Sequence, residues 1–179
     1  RNKNLITNNQ QNKLMNTVVG FFGLSVGSHA ALTWLTESRA NVINIADYDI
    51  ISPSNLNRLR AGWEEVGLTK VKSLTNKLKQ VNPFTEIVSF LDKNSIAKFF
   101  EKNTRLDVIV DAIDDMEGKI LLRKLAQKKR IPLVSAADVG DNVVLDIERY
   151  DKDPNQEAFL GRISRDQLDK FSDLSEFEQ

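Results

Sequence analysis

Residues 16–58 constrain this chain more than any other stretch. An apolar run at Thr17 to Val19 breaks at Gly20, and glycines recur at Gly23 and Gly27. An amphipathic stretch from Ala30 to Glu37 comes next, and then a second apolar run from Val42 to Ala46. Periodicity and punctuation together read as strand, glycine turn, helix and strand. Glycines at such a turn let the backbone approach a phosphate, and they aim the helix N-terminus, with its free N–H groups and positive dipole end, at negative charge. The second strand ends in Asp47, a carboxylate placed where a nucleotide ribose offers its hydroxyls. A glycine turn standing alone also serves a tight strand-to-helix crossover that needs small residues only for packing.

The residues beyond Asp47 weigh against that plain reading. Asp47-x-Asp49, then Ser54-Asn55-Leu56-Asn57-Arg58, then Gly67-x-x-Lys70 set polar amides and two cations just past the ribose carboxylate. None of these side chains belongs in a core, and a triphosphate wants such a set.

These residues resemble the ThiF/MoeB/HesA-type adenylyltransferases, the family that includes the nucleotide-binding domain of ubiquitin-activating enzymes. The resemblance covers about residues 1–160. Its most specific piece is Asp47-Tyr48-Asp49 followed by Ser54-Asn55-Leu56-Asn57-Arg58. It implies that Asp47 is the ribose ligand, that Asn55 and Arg58 contact the β- and γ-phosphates, and that Lys70 is a further phosphate cation. It also implies that Asp114, in Val110-Asp111-Ala112-Ile113-Asp114-Asp115, is the Mg²⁺-associated aspartate. The expected catalytic set is therefore Arg58, Lys70 and Asp114, with Asp114 as the metal residue. Gly20, Gly23, Ser25, Asp47, Asp49, Asn55, Arg58 and Lys70 are expected to bind ATP. Mg²⁺ is the expected metal, and zinc is not.

The sequence also departs from the family pattern. The family loop usually reads G-x-G-G-x-G, and aligning from Gly20 puts Phe22 and Ser25 where glycines are expected. A bulky residue at Phe22 restricts positive φ and crowds a phosphate. Shifting the register to Gly23-Leu24-Ser25-Val26-Gly27 recovers a different small-residue turn. This string, with Asp146-Ile147-Glu148-Arg149-Tyr150-Asp151, resembles a branch of the family in which some members are fused to nitroreductase-like domains.

The remaining sequence sets the frame. At 179 residues, with 41% hydrophobic and 28% charged, the chain suits one soluble domain with a sizeable core. Its 25 basic and 25 acidic residues leave no net field to steer it toward nucleic acid or an anionic membrane. No cysteine is present, which removes disulfides, thiolate zinc sites and a thioester-forming nucleophile from these residues. No apolar run approaches a membrane span and no signal-peptide pattern opens the chain, so a cytoplasmic location is expected. The chain opens on Arg1 and closes on Glu176-Phe177-Glu178-Gln179, and it is expected to be part of a longer protein.

Residues 1–15, polar and Asn-rich, read as an N-terminal arm, 16–160 as the nucleotide-binding domain, and 161–179 as a C-terminal segment that begins a further region. The resemblance gives the arm a role, since family arms carry an arginine into the active site, in homodimers from the other subunit; Arg1 is the nearest candidate. His29 reads as a packing or exposed residue at the start of the first helix. Val71, Leu74, Leu78 and Val81 describe an amphipathic helix closed by Asn82-Pro83, with Lys72, Lys77 and Lys79 on its wet face. Thr85–Leu91 is a strand and Ser95–Lys102 a short helix. Asp107–Ile113 is a buried parallel strand whose end delivers Asp111, Asp114 and Asp115 to the ligand zone; one of the last two also suits a helix cap. Residues Met116–Lys129 form a helix whose Lys119, Arg123, Lys124, Lys128, Lys129 and Arg130 give it a cationic exposed face. Only Lys119, where the family often has an arginine, is expected to turn inward. A strand at Ile131–Ser135, an antiparallel strand at Asn142–Tyr150 and a helix near Arg165–Phe171 complete the chain. The expected fold is α/β: a Rossmann-like, doubly wound, mostly parallel sheet with an antiparallel extension after residue 140.

The activity that the resemblance implies is ATP-dependent adenylation of a carboxylate, such as the C-terminus of a small ubiquitin-like protein, in a homodimer. Two alternatives stand beside it. A catalytically degenerate relative would act as a binding or dimerisation module, and an NAD(P)-binding oxidoreductase would share the glycine turn and Asp47 but give no reason for Asn55, Arg58 and Lys70.

Overall fold

The computed structural model describes residue 2 and residues 4–91, 95–101 and 105–170. Six strands form one sheet: β1 (Val19–Phe22), β2 (Val42–Ala46), β3 (Glu86–Phe90), β4 (Val108–Asp111), β5 (Leu133–Val139) and β6 (Asn142–Glu148). Their order is β3-β2-β1-β4-β5-β6. The first five run parallel, and β6 turns back antiparallel on β5, as the sequence predicts beyond residue 140. The chain winds outward from β1 in both directions, so the order reverses between β1 and β4. Ligands bind at that switch point in open α/β sheets, beyond the carboxyl ends of the strands.

Alternation along β1 divides the core into its two layers. Phe21 points to one face, where Ile43 and Ile45 of β2 meet α2 (Gly27–Ser38) and α3 (Lys70–Val81) through Leu35, Leu74 and Leu78. Phe22 points to the other, into a cluster with Phe90, Phe99, Phe100, Ile109 and Leu122 under α4 (Ser95–Glu101) and α5 (Met116–Lys129). The Phe22 ring sits edge-on to Phe99 at 5.2 Å between centroids and stacks on Phe100 at 6.2 Å. Phe22 is thus a core residue at the end of a strand, with its bulk buried beneath the turn. Lys102 and Phe171, the expected last residues of two helices, lie outside the described residues, as does Arg1.

The N-terminal segment differs from the expected arm. Residues Asn8–Asn16 form a helix, α1, opened by a capping box in which Thr7 and Gln10 satisfy each other's backbone N–H groups. It buries no side chain and is held by amides instead. Gln11 donates to the carbonyl of Ser38 and Asn2 to that of Glu37, at 2.9 and 3.0 Å. These carbonyls end α2, where helical partners run out. The polarity that marks an arm in sequence is here the means of docking.

Candidate functional site

The turn after β1 is built by close approach. Gly23 has φ +83°, and a Cβ there would lie 2.4 Å from the carbonyl oxygen of Ala112. Its N–H bonds the carbonyl of Ala46, while the N–H of Ala112 bonds that of Phe22, so the ends of β1, β2 and β4 are tied together. Gly20 sits earlier, inside β1, where its missing Cβ makes room for Leu106 and Phe22. This corrects the turn: it runs Gly23-Leu24-Ser25-Val26-Gly27, and Gly20 is no part of it. α2 starts at Gly27 with no side-chain cap, leaving its first N–H groups and dipole end directed at the turn.

That turn opens into a cleft of about 800 Å³. Of the residues singled out in the sequence, Gly23, Ser25, Asp47, Asp49, Arg58, Lys70 and Asp114 line it, while Gly20 and Asn55 do not. Asn55 builds a turn, its Oδ1 accepting the N–H of Ser52 at 3.1 Å. Arg58 comes just after that turn and reaches the cleft, exposed, with Nη1 donating to the carbonyl of Ser54 and to Oδ1 of Asn57.

Asp47 is buried at the end of β2. Its two oxygens accept the N–H groups of Leu24 and Asp49, at 2.7 and 2.8 Å, so it fixes the glycine turn. Each oxygen keeps a further lone pair. Burial raises the Asp47 pKa, opposed by these two backbone bonds and by Lys70. Lys70, the first residue of α3, is also buried; its Nζ lies 2.6 Å from Asp49 and 3.7 Å from Asp47. Burial, and then the surrounding aspartates, raise the pKa of Tyr48 between them.

The aspartates at the end of β4 and just after it divide by role. Asp114 is exposed and lines the cleft, and Asp115 caps α5 by accepting the N–H of Gly118. Asp111 is not delivered to the ligand zone. It is fully enclosed, its Oδ2 2.6 Å from Nη1 of Arg123 and 3.4 Å from Lys119, its Oδ1 accepting the N–H of Ile113. Among the described residues no group of three or more His, Cys, Asp or Glu could hold a metal ion by itself.

Arg123 corrects the reading of α5 as an outward cationic face. It is 2% exposed, lies 3.9 Å over the Phe159 ring, donates to Ser135 and stands 3.0 Å from Glu148. Its register was a usable signal, since Ile120 and Ala126 stand three residues to either side on the buried face. Glu148 in turn accepts the N–H of Phe159 and the Tyr150 hydroxyl. Asp146 pairs with Arg162, and Arg149 with Asp151. The charged string at 146–151 is therefore structural. Sequence reasoning also missed the apolar wall of the cleft, formed by Ile96, Ile113 and Ile120.

A parallel sheet with a glycine turn, an uncapped helix and a strand-end carboxylate at its switch point defines a Rossmann-like α/β domain. The chain belongs to the ThiF family, whose model matches residues 1–173. It is 32% identical over 178 residues to the uncharacterized protein MT1398 of Mycobacterium tuberculosis, covering 98% of this chain and 24% of that protein. It is 28% identical over 123 residues to the molybdopterin-synthase adenylyltransferase of Haemophilus influenzae, covering 68% of this chain and 49% of the relative. Among solved structures, Escherichia coli tRNA N6-threonylcarbamoyladenosine dehydratase, TcdA, in complex with ATP superposes with a TM-score of 0.68. That match has 23% identity and covers 76% of this chain and 57% of the other. The chain thus spans a quarter to three-fifths of the length of these proteins. No helix among the described residues is long and apolar enough to cross a membrane.

Proposed function

We propose that this chain is the ATP-binding domain of an adenylyltransferase that activates a carboxylate as its acyl-adenylate. One observation carries the reading: the glycine turn and the uncapped α2 N-terminus open into the same cleft that gathers Asp47, Arg58, Lys70 and Asp114. The cleft volume of about 800 Å³ suits a nucleotide. Asp47 would take the ribose hydroxyls on its remaining lone pairs, the α2 N–H groups a phosphate, and Arg58 the γ-phosphate.

The substrate carboxylate would attack the α-phosphorus and pyrophosphate would leave. Bringing two anions together is the main barrier, so the chain's work is positioning and charge compensation. Five carboxylates line the cleft, from Asp47, Asp49, Asp114, Asp115 and Glu117, against three cations, Arg58, Lys70 and Lys124. Such a balance repels a triphosphate unless a divalent ion enters with it. Mg²⁺ is normally held by one or two carboxylates together with phosphates, which fits the exposed Asp114 in the cleft. When bound, Mg²⁺ would neutralise phosphate charge. The chain has no cysteine, so the acyl acceptor would come from elsewhere. The carboxylate would be a small molecule or the C-terminus of a small protein, and the location cytoplasmic.

A homodimer belongs to the same reading. On β6 the side chains of Val143, Leu145 and Ile147 are 68%, 60% and 49% exposed, and Leu145 and Ile147 pair with Ala136 and Val134 of β5. A second copy would cover this apolar face.

Equilibrium dialysis of ATP and NAD against the protein with Mg²⁺ tests the reading. ATP should be retained and NAD should not. Retention of NAD alone would favour an oxidoreductase, and of neither a degenerate binding module.

A further inference from the structure

His29, the chain's single histidine, lies on the first turn of α2, half-buried, immediately behind the glycine turn. Both of its ring nitrogens are engaged by one loop. Nε2 lies 2.8 Å from the carbonyl oxygen of Arg58, and Nδ1 lies 3.0 Å from Nε of Arg60. The Arg60 guanidinium can only donate, so Nδ1 must accept, and the ring proton must sit on Nε2, donating to the Arg58 carbonyl. The pair of partners therefore selects one neutral tautomer. The same imidazole ties residues 58–60 to the element whose N-terminus faces the cleft.

The segment it holds needs holding. Arg58 is exposed, and among the described residues its guanidinium bonds near neighbours in sequence, the Ser54 carbonyl and Asn57 Oδ1. These contacts travel with the loop and do not fix it to the sheet. The His29 contact fixes the main chain of Arg58 against α2, and so sets where its guanidinium enters the cleft.

We propose that His29 is a positioning residue: it clamps the Arg58–Arg60 loop to the first turn of α2 and thereby presents Arg58 to the anionic end of a nucleotide. The proposal deepens the ATP-binding reading and rests on it for its ligand, while the clamp itself can be tested without any ligand.

A long-range ¹H–¹⁵N NMR spectrum of the protein contains one histidine, so the assignment is direct. At neutral pH the Nε2–H tautomer is expected in the wild type, with a shift toward the averaged pattern of a free imidazole in Arg60→Ala. An averaged or Nδ1–H pattern in the wild type overturns the clamp. ATP titrations then test what the clamp does. His29→Ala should bind ATP about three- to tenfold more weakly than wild type while its thermal midpoint falls by no more than a few degrees. His29→Gln, whose amide offers one donor and one acceptor group, should recover most of that loss. The double variant His29→Ala/Arg58→Ala should bind no more weakly than Arg58→Ala alone, because His29 acts through Arg58. Wild-type affinity in His29→Ala, or losses that multiply in the double variant, overturn the positioning role. If no variant and no wild type binds ATP while the Nε2–H tautomer is present, the ATP reading has failed and with it the positioning role, though not the clamp.

Discussion

Arg123 and Asp111 form a buried ion pair, 2.6 Å apart and 2% and 0% exposed at their side chains, that joins α5 to the end of β4 directly beneath the cleft. Through the bond from the Ile113 N–H to Asp111, the pair also shapes the turn that carries Asp114. A helix cation is spent inside the fold, and the cleft is left with Arg58, Lys70 and Lys124.

Removing one partner of such a pair strands the others without compensation. Arg123→Met should destabilise the protein by about 3–5 kcal/mol, because Asp111 and Glu148 would both remain buried. Urea denaturation measures it, and a loss below about 1 kcal/mol would mean that Asp111 and Glu148 do not depend on Arg123 for compensation.

Glu148 makes the same network pH-dependent. Burial raises its pKa above the ordinary glutamate value, against the pull of Arg123 and of the bonds from Phe159 and Tyr150. The folded state then binds this proton more tightly than the unfolded chain does. Its stability contribution is fully present below the ordinary glutamate range and is lost as pH rises through the raised value. Glu148→Gln cannot titrate, so the stability of wild type relative to the variant should fall as pH rises above the ordinary glutamate range. A relative stability that climbs with pH would contradict the direction.

The two candidate glycines give a discriminating pair. Gly23→Ala would place a Cβ against the Ala112 backbone at a positive φ, and should cost at least about 1 kcal/mol. Gly20→Ala meets side chains, the end of Leu106 at 2.8 Å and the Phe22 ring at 3.0 Å, with no positive φ to strain, and should cost less. Thermal melts of both variants in the same buffer decide the order, and the reverse order would contradict the account of the Gly23 turn as the tighter of the two sites.

The apolar face of β6 bears on assembly. Sedimentation at micromolar concentration should give a dimer for wild type and a monomer for Leu145→Glu. A wild-type monomer would remove the second copy from that face.

The sheet was legible because its strands are short, apolar and punctuated, as Val42–Ala46 is, and the helix Met116–Lys129 likewise falls where periodicity places it. Gly23, Asp47, Arg58 and Lys70 line one cleft, the first two from strand ends at the switch point, Arg58 from a loop and Lys70 from the start of α3. What escaped depended on partners distant in sequence. Arg123 reads as a surface cation until Glu148, 25 residues on, and Phe159 are folded against it. Asn2 and Gln11 read as part of a polar arm until the last carbonyls of α2 are beside them. Asp111 and Asp114 cannot be told apart by spacing, because strand pleat and turn send one inward and one to the cleft.

Asp114 is where the metal would act. Asp114→Ala should weaken the enhancement of ATP binding by Mg²⁺ and leave metal-free binding nearly unchanged. Titrations with and without EDTA separate the two, and an equal loss in both would assign Asp114 to the nucleotide instead.

Calorimetric titration of ATP with Mg²⁺ into wild type and Arg58→Ala tests the central claim most directly. A charge-assisted bond to a phosphate is worth roughly 1.5–3 kcal/mol, so the variant should bind about ten- to a hundredfold more weakly with its melting temperature unchanged. Wild type binding ATP no more tightly than Arg58→Ala would contradict the adenylyltransferase reading of this cleft.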